Sequence, residues 1–328
     1  MPVARKTTLA RIRARNDFPK REPLTPSWIG RVPHLKPGAY ADGMPLHQVQ
    51  YLCCKLILRP NKFVSRESLF EFGKVMREPA KQHGVKFEKK GFDSQPIKLR
   101  EVLFIDTEDF RLYNNAFILR RRIPYQDGFP IGEPEIVFKF RHPDIQLCAE
   151  TDVRPRILGD HRVKFKCQAM TLKEKLGGIR LLFSHNVQFF RSAIGMGKEN
   201  VSNMDQLIEL LPALAVVRKE PQEKIHLVSN TIIEEVLQDI GVLDFGDGIT
   251  CKANVAIWRT RGEHRPLIGE FAYQFRFQDR NGLGKEALRR AEAFFIDLQY
   301  AAEGYIALNC TKTATVYRLL GNPPKSHE

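Results

Sequence analysis

The chain has 328 residues, 43% hydrophobic and 27% charged. That composition can build a full core without disulfide or metal staples, and it excludes global disorder and collagen-like repeats. Lys and Arg outnumber Asp and Glu by 52 to 38, a net +14 that favours an anionic partner: nucleic acid, nucleotide, polyphosphate or an acidic membrane surface.

Residues 1–45 read as a basic, proline-containing extension, with Arg5, Lys6, Arg11, Arg13 and Arg15 clustered and Pro19, Pro23, Pro26, Pro33 and Pro37 following. No apolar stretch follows the basic start, so no secretory signal is expected. No run approaches the ~18 apolar residues of a membrane helix. The six cysteines (Cys53, Cys54, Cys148, Cys167, Cys251 and Cys310) form no CxxC pair, and they read as reduced thiols of a cytoplasmic protein.

His47 to Arg59 reads as a strand. Ser65 to His83 reads as a helix with Ser65 as N-cap, broken or kinked at Pro79. Arg100 to Asp106 is a strand, followed by a helical turn at Glu108 to Tyr113. Strands follow over Ala116 to Ile123, Glu135 to Arg141, Leu147 to Val153 and Arg162 to Gln168, separated by Pro, Gly or Asp turns in the manner of an antiparallel meander. Residues 170–200 read as an insertion. Asp205 to Leu211 and Ser229 to Ile240 read as helices, the second ended by Gly241. Ile249 to Arg259 and Leu267 to Phe277 read as strands, Gly284 to Tyr305 as a long amphipathic helix, and 321–328 as a tail.

The anomaly is charge inside strands. In FILRRRI, Arg120 and Arg122 share one face, opposite Leu119, Arg121 and Ile123. In VFKFR, Lys139 and Arg141 oppose Phe138 and Phe140. Lys164 and Lys166 repeat the pattern, and Glu150 and Asp152 give an acidic version. A half-exposed sheet would produce this. So would a barrel with a polar interior, in which converging Arg and Lys bind phosphate oxygens and paired carboxylates hold Mg²⁺ or Mn²⁺. In the last strand, Phe271, Tyr273, Phe275 and Phe277 form an apolar outer face and leave Ala272, Gln274 and Arg276 beside Glu270. Arg218 and Lys219 follow an apolar run and either enter the same lumen or lie in a solvated loop. Lys252 and Asn254 share a strand face. Gly195 to Lys198 fails as a phosphate loop, because Ser192 stands where the first glycine belongs and Glu199 where Ser or Thr belongs. His47, His142 and His185 are isolated in sequence.

The segment FIDTEDFRLYNNAFILRRR, followed by EIVFKFR and AETDV, resembles the CYTH superfamily, the triphosphate tunnel metalloenzymes. Asp106 and Thr107 match its DT pair, Leu112 the following leucine, Arg120 and Arg122 its basic pair, and Lys139 its lysine, with Val137 where threonine is usual. Glu150 and Asp152 match its acids and Glu270 its late carboxylate. The first-strand E-x-E-x-K is degenerate: Tyr51 and Cys53 replace both glutamates and only Lys55 remains.

The resemblance covers about His47 to Leu319. It implies an α+β fold over 46–320: a closed antiparallel barrel, or tunnel, of about eight strands with helices packed outside. It also implies a triphosphate-containing ligand, nucleotide or polyphosphate on Lys55, Arg120, Arg122 and Lys139, and the residue pattern adds Arg141 and Arg218 to these phosphate-binding candidates. Glu150, Asp152 and Glu270 would hold Mg²⁺ or Mn²⁺ for triphosphatase or nucleotide-cyclase chemistry. The missing glutamates favour instead a non-catalytic binding module. A third reading is RNA or DNA binding by the outer surface and the N-terminal tail.

Overall fold

Strands dominate where β-branched and aromatic residues alternate with polar ones, and their pairing closes a ring. The computed structural model describes residues 23–25, 27, 35–195, 200–276 and 284–320. In chain order the elements are β1 (Tyr51–Leu58), α1 (Arg66–Val75), α2 (Arg77–Gln82), β2 (Lys86–Glu88), β3 (Lys98–Asp106), α3 (Arg111–Asn114), β4 (Phe117–Gln126), β5 (Phe129–Pro130), β6 (Glu135–His142), α4 (Ile145–Glu150), β7 (His161–Thr171), β8 (Ile179–Phe190), α5 (Met204–Leu210), β9 (His226–Leu227), β10 (Ile233–Asp244), β11 (Thr250–Thr260), β12 (Pro266–Arg276), α6 (Lys285–Ala301) and α7 (Lys312–Tyr317), with short 3-10 turns between. The basic cluster at 5–15, Pro19, Pro33, Met196 to Glu199, Phe277 and the 321–328 tail lie outside the described residues.

The hydrogen-bonded order β10-β11-β12-β1-β7-β8-β6-β4-β3 returns to β10, because β10 also pairs with β3. Among the described residues the ring therefore has nine strands. All neighbours are antiparallel except β1 and β7, which run parallel with Tyr51 opposite Lys166. The closed barrel with outer helices matches the expected architecture. The strand count and the parallel pair depart from it.

One added strand comes from 170–200, which is no insertion: Ile179–Phe190 forms β8 and pairs with both β6 and β7. The other comes from the expected helix at Ser229 to Ile240, which is β10. Its apolar residues fit a helical stripe as well as a strand. Pairing with β3 on one side and β11 on the other decides between them, and buries Ile233, Ile240 and Leu243. Gly241 is accordingly no helix stop. It follows a register shift against β11, and a Cβ there would lie 2.4 Å from a Phe87 ring carbon and 2.7 Å from the Glu88 carbonyl oxygen. Gly241→Ala is expected to cost about 1–3 kcal/mol, read as a lowered urea midpoint, because both neighbours must shift.

The expected helix at Ser65 to His83 is two helices. Ser65 and Ser68 cap α1 reciprocally, and the break falls at Met76. Pro79 lies in the first turn of α2, where its missing N–H would have had no intrahelical partner. The outer layer packs on the apolar face of β12 read from the sequence. Phe72 of α1 meets Phe271 at 5.1 Å between ring centres, Phe294 of α6 meets Tyr273 at 5.9 Å, and the Tyr273 hydroxyl donates to the Ala291 carbonyl. Upstream of the expected boundary at 46, Leu35 and Tyr40 are already buried in this core.

One end of the ring is closed. Inward residues Ile57, Val102, Phe104, Ile118, Met170, Leu182, Ile233, Trp258 and Ile268 form an apolar floor with Ala314, Val316 and Tyr317 of α7. Tyr317 stacks on Tyr113 at 4.3 Å and donates to Asp106 Oδ2 at 3.0 Å. The Asp106 carboxylate also accepts from the backbone N–H groups of Thr107, Leu112 and Tyr113 at 2.7–3.0 Å. Asp106 thus ties the C-terminal helix to the turn after β3.

Candidate functional site: a cation-lined tunnel

Above the apolar floor the inward positions are polar. The cavity there is ≈ 630 Å³, within the range of a small-molecule site. Ten basic residues line it: Lys55 on β1, Arg100 on β3, Arg120 and Arg122 on β4, Lys139 and Arg141 on β6, Lys164 and Lys166 on β7, Lys252 on β11 and Lys312 on α7. Glu235 and Glu270 also line it. Strand alternation puts all of these cations here except Lys312, which α7 delivers, since inward positions recur at every second residue of a strand while the intervening side chains face outward. Arg121, between Arg120 and Arg122, faces out and pairs with Glu101 at 3.0 Å.

The cations pay an electrostatic cost for this crowding. Lys139 is only 6% exposed, and among the described residues it has no carboxylate partner. Burial, then Arg120, Arg141, Lys55 and Arg122, hold its ammonium well below the usual lysine range. Burial, then Lys166, brings Lys164 down to about 8, although its Nζ donates to Gln188 Oε1 at 2.6 Å. Burial and Arg122 also push the Arg120 guanidinium down, and its Nε is buried without an acceptor. Arg122 is paired with Glu135.

The two acids sit lower, in a compact ion cluster. Glu235 is bound by Arg100 at 2.5 Å, by the Trp258 indole N–H at 2.9 Å and by Lys312 at 3.2 Å. Glu270 is bound by Lys312 at 2.9 Å and Lys55 at 3.5 Å. Burial alone would raise both carboxyls. Lys312 with Arg100 outweighs it at Glu235, and Lys312 with Lys55 brings Glu270 down to about 2.

Of the residues named from the sequence, Lys55, Arg120, Arg122, Lys139, Arg141 and Glu270 meet in this cavity. Three do not. Leu147 to Val153 is not a strand: the Asp144 carboxylate accepts from the N–H groups of Gln146 and Leu147, and that cap starts helix α4 instead. Glu150 ends α4 and is exposed, accepting from the Gln146 side chain at 2.9 Å. Asp152 is in the loop beyond, paired with Arg154 at 2.6 Å. Both line a separate outer hollow, so they share no site with Glu270. Arg218 stays outside, paired with Asp205 at 2.9 Å. His47 and His185, far apart in sequence, meet at 3.1 Å between ring nitrogens.

Sequence reasoning missed Arg100, Glu235 and Lys312. Arg100 carried a signal, since it alternates with the inward Val102 and Phe104. Glu235 was hidden by the helical reading of its segment. Lys312 carried none, because its position depends on how the C-terminal helix enters the barrel.

The divalent metal implied by the resemblance does not fit this donor set. Mg²⁺ and Mn²⁺ want several oxygen ligands with surplus negative charge. Here the two carboxylates are already satisfied by Arg100, Lys55 and Lys312, and the first-strand positions carry the Tyr51 phenol and the Cys53 thiol, which donates to Gln274 Oε1 at 3.0 Å. No cluster of three or more His, Cys, Asp or Glu residues suited to a metal occurs among the described residues. No helix among the described residues is long and apolar enough to cross a membrane.

No family model matches the chain, and no curated protein matches it. Solved structures do. A Hippeastrum protein described as an adenylyl cyclase candidate with a dominant triphosphatase activity is 13% identical, with 85% of this chain and 100% of that one covered and a TM-score of 0.39. An adenylate cyclase candidate from Bacillus halodurans is 12% identical over 83% of this chain and 98% of that one, with a TM-score of 0.36. Another from Vibrio parahaemolyticus is 8% identical over 82% and 99%, with a TM-score of 0.30. The overlaps are too slight to carry an argument, and the functional reading rests on the lumen itself.

Proposed function

We propose that this chain is a divergent CYTH-like tunnel protein that binds a triphosphate or short polyphosphate chain, free or as the phosphate tail of a nucleotide. The observation that carries this is the burial of Lys139 in the bore with no carboxylate partner among the described residues, crowded by Arg120, Arg141 and Lys55. Buried charges of one sign are held at a cost unless a counter-charge arrives, and a phosphate chain supplies several in a row. The lumen's length of cations, from Lys164 near one rim to Lys55 above the floor, suits an extended anion better than a single phosphate.

Triphosphatase-type hydrolysis is the finer reading. The cation array would stabilise charge on the leaving phosphates, and the ionised Glu270 is the candidate to orient a water. Lys139 is poorly suited to be the base, because a polyanion would draw it back to its charged form. Phosphate release that falls on Glu270→Gln would support turnover. Binding without release would leave a binding module.

Calorimetric titration of inorganic triphosphate into the full chain tests the binding reading. Because the ligand raises the depressed pKa values of Lys139 and Lys164, binding near pH 8 is expected to take up protons, so the apparent heat should vary with buffer ionisation enthalpy. Affinity should fall as pH rises through about 8, as the Lys164 amine loses its charge. Absence of binding at millimolar triphosphate would sink the reading.

A further inference from the structure

We propose that the Lys312 ammonium is a resident cation, seated between Glu235 and Glu270 in the place a divalent metal would take, so that this tunnel grips a phosphate chain without metal. The ligand named here rests on the phosphate-binding reading; the seating of the ammonium does not.

Lys312 Nζ lies 2.9 Å from Glu270 and 3.2 Å from Glu235, bridging two carboxylates that come from different strands. It also lies 4.7 Å from the centre of the Trp258 ring, within cation–π range. The bridge is delivered by an anchored element. Lys312 is the first residue of α7, and the Thr311 hydroxyl accepts from the Ala314 N–H at 3.1 Å to cap it. The far end is held by the Tyr317 bond to Asp106 and by the Ser229 hydroxyl bond to the Val316 carbonyl at 2.8 Å. The ammonium is therefore placed by a pinned backbone, not by a loose tail.

The charge balance points the same way. Lys312, Lys55 and Arg100 already set three positive charges against two negative ones. A divalent ion would have to displace the ammonium or add to a surplus of cations in a bore that holds eight more basic side chains than acidic ones. With the ammonium in place, the two carboxylates act as its holder, and Lys139, without a carboxylate partner among the described residues, is left to meet the anion.

The test uses the full chain and Mn²⁺ alone, followed through the paramagnetic resonance signal of the free ion. Wild type is expected to show no Mn²⁺ site tighter than about 1 mM, a weak limit for oxygen-ligand sites. Lys312→Met is expected to bind Mn²⁺ at least about tenfold more tightly, and adding Glu270→Gln should remove that gain. A wild-type Mn²⁺ site that Glu270→Gln abolishes would overturn the proposal, as would a folded Lys312→Met protein with no gain. The wild-type arm decides the matter even if the variant does not fold. In parallel, triphosphate affinity should be the same in EDTA as in Mg²⁺, and an increase of about tenfold or more with Mg²⁺ would also overturn the proposal. Failure of triphosphate to bind in either condition would remove the ligand assignment and leave the Mn²⁺ result to judge the resident cation.

Discussion

Lys139→Met is expected to weaken triphosphate binding by about 10- to 100-fold while raising the thermal midpoint of the ligand-free protein. The binding loss follows from removing a charge-assisted contact to phosphate, worth about 1.5–3 kcal/mol. The gain in stability follows from the site. Lys139 is buried, crowded by Arg120, Arg141 and Lys55, and without a carboxylate partner among the described residues. Methionine keeps the length and apolar stem of lysine and removes the charge, which is expected to stabilise the fold by about 1–3 kcal/mol. Opposite signs for stability and affinity are what a functional cation held against its own electrostatics should produce. A variant that lost stability while keeping its affinity would show that Lys139 is structural. Thermal melts with and without triphosphate, run beside the calorimetry, read both quantities.

The second large effect is expected at Asp106. It is 1% exposed and accepts hydrogen bonds from three backbone N–H groups and from the Tyr317 hydroxyl. Asp106→Ala would leave these donors buried and unsatisfied, at about 1–3 kcal/mol each before relaxation, so a total loss of about 4 kcal/mol or more is expected. Because Tyr317 belongs to α7, the same change should loosen the barrel floor and the helix that carries Lys312.

Asp106 also gives a pH signature. Burial outweighs its hydrogen bonds and raises its carboxyl to about 6. A group whose folded pKa lies above its unfolded value contributes stability below the unfolded pKa, near 4, and loses that contribution as pH rises through about 6. Glu270 works in the opposite sense. Its folded value of about 2 gives stability above the ordinary glutamate range that is lost as pH falls toward 2. Asp106→Asn should therefore remove the slope between about pH 4 and 6 and keep the acid loss below it, which urea unfolding across that range would read.

The charged bore was legible because strand alternation is local. Once FILRRRI and VFKFR are strands, Arg120 and Arg122 must share one face, as must Lys139 and Arg141, and GEFAYQF must turn Glu270 away from the aromatic side that packs on α1 and α6. The acids were misplaced because alternation alone could not decide their segment. Glu150 and Asp152 alternate as strand residues would, yet one capping carboxylate, Asp144, was enough to start a helix there. Glu235 illustrates the converse, since IIEEVLQDI suits a helix until β3 and β11 claim both its edges.

The sequence by itself determined a set of strands with basic faces and most of the cations that line the bore, since side-chain alternation and charge are properties of neighbouring residues. Only the tertiary structure decided which carboxylates enter the bore and what neutralises them. Lys312 reaches Glu235 and Glu270 because a C-terminal helix closes the floor of a ring whose first strand lies more than 250 residues earlier in the chain. That placement depends on long-range packing, which no local spacing of residues encodes.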